Sequence, residues 1–192
     1  MNIALRTMLV LVILSVLLVA IIARQQYTLN TGVPILLETQ PIDPRSLFRG
    51  DYVVLNYAID SLDLDELAGE DVFRPNQAVY VVLEQAGTYW KPVAVHGGRT
   101  PAMPSQVVIR GRVTSVGSHR WNAETGRSEQ LDTIAVDYGI GSYFVPEGEG
   151  RELERPSADN RVDLRVVVDR FGKAAIKAVL VNGEVRYREG LL

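Results

Sequence analysis

Two stretches of this chain concentrate residue types suited to recognition or catalysis. The first is Pro41-Ile-Asp-Pro-Arg-Ser-Leu-Phe-Arg-Gly-Asp-Tyr-Val-Val-Leu-Asn-Tyr57. Its prolines and Gly50 shape a loop that delivers Arg45, Arg49 and Asp51 around one corner, ahead of a strand opening at Tyr52. A carboxylate at Asp51 accepts from loop N–H groups or pairs with an arginine, whose planar fork grips oxyanions at two points. The second stretch is Tyr138-Gly-Ile-Gly-Ser-Tyr-Phe-Val-Pro-Glu-Gly-Glu-Gly-Arg-Glu-Leu-Glu154, with Tyr143 on a short strand and Glu147 in the turn after it. Aromatic, glycine-rich corners bearing a carboxylate serve as partner or ligand surfaces, and equally as ordinary turns. Arg45, Arg49, Asp51, Tyr52, Tyr143 and Glu147 are therefore the expected partner- or ligand-binding set, the charges giving orientation and the tyrosines rigid contact area.

Catalytic sets are thin. There is no cysteine, and His96 and His119 stand 23 residues apart, so neither forms the i, i+4 pair of a helical zinc site. No metal and no cofactor is expected. The acidic run Asp60-Ser-Leu-Asp-Leu-Asp-Glu66 suggests calcium, yet counting from Asp63 puts Leu67 at the fifth position and Ala68 where a glycine must turn the loop. Asp63 with Glu66 reads better as a capping box opening one or two helical turns. No phosphate-cradling glycine loop and no Gly-x-Ser-x-Gly occurs. The alternative function is a hydrolase of envelope substrates, using Ser46 with Lys91 or the carboxylates Asp51 and Glu147; it requires those groups to converge within about 3 Å around a cleft.

The elements that position these residues begin with an apolar rod. Residues 8–23 are apolar except for Ser15, with Arg6 before them and Arg24 after. About 20 such residues cross the hydrocarbon core, and a snorkelling Arg6 extends the span to residues 3–23. A cleaved signal calls for a small-x-small pair, which Ala20-Ile21-Ile22-Ala23 lacks, so an uncleaved signal-anchor is expected. The free amine and Arg6 outweigh Arg24, which puts the N-terminus inside and the following domain on the extracytoplasmic face of the inner membrane. Without Arg6 and Arg24 the basic residues number 18 against 23 acidic, a balance that disfavours nucleic acid. Arginine supplies 17 of the 20 basic residues, which base composition explains as readily as a preference for bidentate contacts.

After the rod, residues 25–33 read as a polar, extended stalk, and 34–192 as one β-rich domain; 47% hydrophobic residues suffice for one core. Period-two runs predict strands over 34–39, 51–59, 78–84, 89–95, 107–116, 131–138, 143–145, 161–169, 174–181 and 184–187. Along the second of these, Leu55 and Tyr57 face the core. Gly111 marks a bulge or a close backbone approach. Residues 121–129 read as a polar turn, 152–160 as a short helix or loop, and Asn182-Gly183 as a hairpin turn. The fold class is mostly β: an antiparallel sandwich or partly open barrel with one or two short helices, preceded by an N-terminal transmembrane helix.

With these residues in view, the chain resembles the bacterial family named for its motif, GDYxxLxY. Gly50-Asp51-Tyr52-Val53-Val54-Leu55-Asn56-Tyr57 matches every fixed position, and Asp43-Pro44-Arg45, Tyr143-Phe-Val-Pro-Glu-Gly148 and the N-terminal segment are similar too. The resemblance implies a membrane-anchored protein without an assigned activity, encoded beside polytopic membrane proteins, and hence a polytopic membrane protein as partner. A weaker similarity, to signal peptidases and self-cleaving repressors, rests on the turn ahead of Gly50-Asp51. The nucleophile position there holds Ile42, the proline is one residue off register at Pro44, and Ser46 stands just beyond, which implies an inactive relative.

Overall fold

The computed structural model describes residues 3–40, 52–54, 56–122, 127–144 and 162–189. Helix α1 (Ile3–Thr31) contains the whole apolar run and is long and apolar enough to cross a membrane. Its large side chains from Met8 to Ile22 are exposed on every face of the isolated chain. A helix that is apolar all round belongs in lipid or among other helices.

The extended stalk expected over residues 25–33 is instead helical as far as Thr31. No proline or glycine interrupts residues 25–31, and side chains reinforce the turns, Thr31 Oγ1 donating to Tyr27 O and Gln26 Nε2 to Asn30 Oδ1. Gly32 ends the helix, its N–H reaching Thr28 O at 2.9 Å. A Cβ at Gly32 would lie 2.7 Å from that same oxygen and 2.9 Å from Val167 Cβ, so the chain passes this close to the sheet only without a side chain.

Beyond Gly32 the chain is a two-sheet sandwich. In one sheet β1 (Val33–Gln40) pairs antiparallel with β11 (Val162–Val168), from Val33 opposite Val168 to Glu38 opposite Asp163. Next come β12 (Ala174–Val181) and the edge strand β13 (Glu184–Arg188), while β3 (Asn56–Tyr57) flanks the other side of β1. The second sheet runs β4 (Ser61–Asp63), β9 (Arg127–Asp137), β8 (Gln106–Asn122), β6 (Ala78–Ala86), β7 (Tyr89–His96) and β5 (Ala68–Gly69), with only β5–β7 parallel. A separate ribbon joins β2 (Tyr52–Val54) to β10 (Ser142–Phe144). Among the described residues neither sheet closes on itself, so the expected open antiparallel β architecture is realised as two sheets and not as a closed barrel.

Alternation packs one core between the sheets: Ile35, Leu37, Leu164 and Val166 face Val79, Val81, Ile109 and Ile134. Each such side chain contributes about 1.5–3 kcal/mol on leaving water. Gly111 is a close approach, since a Cβ there would meet Val136 Cγ1 at 2.3 Å. Asn182 and Gly183, with φ of 54° and 85°, make the left-handed turn their sequence signals. Two local expectations change. Residues 61–67 form strand β4 and one 3₁₀ turn, Leu64–Glu66, with Asp63 capping Asp65 N–H, because pairing of Ser61 with Ala135 claims the first residues. The predicted turn over 121–129 is narrower, for Trp121 and Asn122 pair with Ser128 and Arg127 as extensions of β8 and β9. The expected segment at 152–160 lies outside the described residues.

The helix and the sandwich meet at the β11–β12 turn. Thr28 is 0% exposed, and its Oγ1 donates to Asp169 Oδ2 at 2.8 Å. The other oxygen, Oδ1, accepts Phe171 N–H at 2.8 Å and Lys173 N–H at 3.0 Å. Lys173 Nζ reaches Gln25 Oε1, and Lys177 Nζ reaches Leu29 O on the last helical turn, where a cation also suits the helix dipole. Asp169→Ala strands three donors in a buried place and is expected to cost about 3 kcal/mol, whereas Thr28→Val, which keeps the shape, costs about 1 kcal/mol. For a chain of this size the first corresponds to a drop in Tm of about 6–12 °C. Thermal unfolding of the full chain in detergent, followed by circular dichroism, measures both; equal shifts for the two variants would mean that the turn holds without its carboxylate.

Candidate functional site

The segment that carries the conspicuous Tyr-x-x-Leu-x-Tyr pattern bridges two sheets. Its first part, β2, pairs with β10 so that Tyr52 lies opposite Phe144 and Val53 opposite Tyr143. Two residues later β3 has moved to the edge of β1, with Tyr57 opposite Thr39. A tight turn follows: Asp60 N–H donates to Tyr57 O at 3.0 Å, and Tyr57 N–H donates to Asp60 Oδ2 at 2.8 Å.

Tyr57 is 2% exposed and fastens this turn to the segment leading into β10. Its hydroxyl donates to Ile140 O at 2.6 Å, and in the reverse direction Tyr138 donates to Ile59 O at 2.8 Å. Two tyrosines thus exchange hydrogen bonds across the same gap, each satisfying a carbonyl that loop backbone would otherwise leave bare. Burial, and then the nearby Asp60 charge, pushes both phenols above the ordinary tyrosine range. Neither hydroxyl is free to give up a proton, so their work is structural.

Beside this clasp lies a small cavity of about 200 Å³, bordered by Asn56, Asp60, Thr114, Asp137 and Tyr138. Burial raises the Asp60 carboxyl to about 6; the Tyr57 N–H opposes that shift and the Asp137 charge adds to it. Asp137 Oδ1 in turn accepts Gly139 N–H at 2.7 Å. The corner therefore combines one carboxyl raised to about 6 with a second carboxylate beside it. Sequence reasoning singled out the pair Asp51 and Glu147 and passed over this one. Asp60 and Asp137 are 77 residues apart in the chain, and only the pairing of β4 with β9 makes them neighbours.

Of the expected binding set, Arg45, Arg49, Asp51 and Glu147 lie outside the described residues. Tyr52 and Tyr143 occupy neighbouring strands of one ribbon, the backbone alone being described for Tyr52. Tyr143 is 8% exposed; its ring lies 6.4 Å from that of Tyr187, inclined at 50°. Its hydroxyl is pushed up to about 12 by burial, and next by the charge and hydrogen bond of Glu189. Ser46 and Leu55 are outside the described residues, while Lys91 stands exposed on β7 opposite Glu84. His96 lies on β7 and His119 on β8. Among the described residues, no group of three or more His, Cys, Asp or Glu gathers to hold a metal ion.

Compared with known proteins, the chain matches one family model, described as GDYXXLXY protein, over residues 14–179. No curated protein and no solved structure matches it.

Two outcomes test the corner. Tyr57→Phe leaves Ile140 O without its donor and is expected to lower stability by about 1–2 kcal/mol, read as a shift in the denaturant midpoint at constant slope. Asp60 binds its proton more tightly folded than unfolded, where the carboxyl titrates at 3.8. Its contribution to stability is thus fully present below about pH 4 and is lost as pH rises to about 6. Asp60→Asn keeps an acceptor for Tyr57 N–H and removes the titration. The stability difference between wild type and variant is expected to slope across that window and to be flat above it; a flat difference throughout would remove the shifted carboxyl from the account.

Proposed function

The chain belongs to the GDYXXLXY family, and from that premise we propose that it is a single-pass membrane-anchored recognition subunit, not an enzyme, whose β domain engages an integral membrane protein on the extracytoplasmic face. The observation that carries this reading is the stiff passage from helix to sandwich. An apolar helix runs unbroken to Thr31, and its last two turns are clasped by Asp169, Lys173 and Lys177. A flexible tether would let the domain wander. This one sets its height and angle above the bilayer, which is useful where a fixed surface must meet a neighbour that is itself held in the membrane.

In this reading the bilayer takes residues 3–23, with the N-terminus inside. The helix packs among a polytopic partner's helices, where van der Waals fit decides association. Arg45, Arg49, Asp51, Tyr52 and Glu147 meet the partner's exposed loops. Tyr143 acts from beneath, holding the β2–β10 ribbon against Tyr187 and Glu189. Guanidiniums and carboxylates at such a surface orient the encounter, and aromatic anchors slow dissociation.

Site-specific photocrosslinking in native membranes tests the reading. A photoreactive side chain at Arg49 is expected to give one discrete adduct with an integral membrane protein. The same probe at Lys91, on the exposed part of β7, should give at least tenfold less. Equal yields at both positions, or adducts only with soluble proteins, would refute a partner at this corner; release of the chain by alkaline carbonate would refute the anchor.

A further inference from the structure

A second surface sits where the helix leaves the span. We infer that the cleft between the 99–106 loop and the β11–β12 turn binds the headgroup of an anionic phospholipid from the leaflet through which α1 emerges. The inference rests on the reading of α1 as a membrane span and on nothing in the partner-binding corner.

The cleft measures about 550 Å³ and opens beside the end of the helix, with Thr31 and Val33 on one wall and Val107, Val108 and Val168 among its apolar lining. Two guanidiniums guard it. Arg99 and Arg170 both lie against the ring of Phe171, at 5.6 and 4.7 Å from its centroid, and Arg170 also lies 5.9 Å from the ring of Tyr27. Arg99 Nη2 donates to Arg170 O at 2.8 Å, which draws the two residues together. Their contacts among the described residues are rings and this one carbonyl, so two positive charges converge without a described carboxylate between them. One carboxylate, Asp169, lines the cleft itself, and its oxygens are taken by the Thr28 hydroxyl and two backbone N–H groups, which leaves the guanidiniums as the charged groups open to a ligand.

Height decides what can reach these charges. Tyr27 lies four residues past Ala23, about 6 Å along the helix axis at 1.5 Å per residue. The headgroup layer beyond the hydrocarbon is about 5–8 Å deep. Arg170, beside Tyr27, therefore stands at phosphate level. Phe171, at the tip of the same turn and 49% exposed, projects an aromatic ring where interfacial aromatics partition. Arg24 and Lys173 add positive charge at this end of a chain whose net charge is −3. An anion with apolar parts matches such a place: the phosphate between the guanidiniums, the glycerol backbone along the valine wall. The neighbouring leaflet supplies one without diffusion from solution.

Native mass spectrometry of the full chain in neutral detergent tests this, with phosphatidylglycerol and phosphatidylcholine of distinguishable mass offered together. One phosphatidylglycerol is expected to be retained with about tenfold preference, a difference of about 1.4 kcal/mol. The preference should fall to about twofold or less in R99Q/R170Q and persist in R99K/R170K, whose circular dichroism and melting confirm the fold. Equal retention of both lipids by the wild type, or an unchanged preference in R99Q/R170Q, would overturn the proposal. So would protection from melting by inorganic phosphate equal to that by phosphatidylglycerol, which would assign the cleft to a free anion. Carbonate extraction run in parallel reports on the span by itself, so failure of the anchor and failure of the cleft are distinguishable.

Discussion

A carboxylate buried at the tip of a hairpin holds this molecule in one piece. Asp169 takes the Thr28 hydroxyl on one oxygen and two backbone N–H groups on the other, and so ties the last helical turn to the β11–β12 connection. Removing an ionised carboxylate from water is costly, and three donors aimed at it are what make the arrangement tenable. The same bonds that shape the turn therefore fix the helix. Gly32 completes the joint, since any larger residue would push the helix end away from Val167.

The sandwich repeats this logic at its other busy corner. A strand that leaves one sheet for another passes through backbone whose carbonyls have no ladder partner. Tyr57 and Tyr138 supply the missing donors reciprocally, each from a ring buried in the shared core. The final tyrosine of the family motif is accordingly a structural residue, and the turn it closes brings Asp60 beside Asp137. Burial raises that carboxyl to about 6, and its Oδ2 accepts Tyr57 N–H.

These two corners divide the molecule's work by position. The helix joint gathers Arg99 and Arg170 with the rings of Tyr27 and Phe171 beside the end of α1. The motif corner is set by the β2–β10 ribbon and the edge of β1. A stiff joint makes the separation meaningful, because a rotation or tilt of the helix passes to the domain and is not lost in a slack linker.

Much of this was legible in the residues alone. Period-two alternation and turn chemistry located most strands, because each face of a sheet meets one environment and Asn182-Gly183 suits only a left-handed turn. The apolar run announced by its length a helix long and apolar enough to cross a membrane. Tyr57 was recognisable as a core residue from its register with Leu55. What no local pattern carries is which distant segments meet. Residues 25–31 looked like a stalk because their polarity is satisfied equally by water, whereas they continue α1 and its end docks on Asp169, far along the chain. Tyr138 and Asp137 meet their partners through strand pairing, and Arg99 meets Arg170 through a loop and a turn dozens of positions apart in the chain. The sequence determined the elements and their buried faces, through short-range sterics and hydrophobic periodicity; the tertiary structure decided the joint, the clasp and the cleft, because each requires hydrogen bonds or charges contributed by separate parts of the chain.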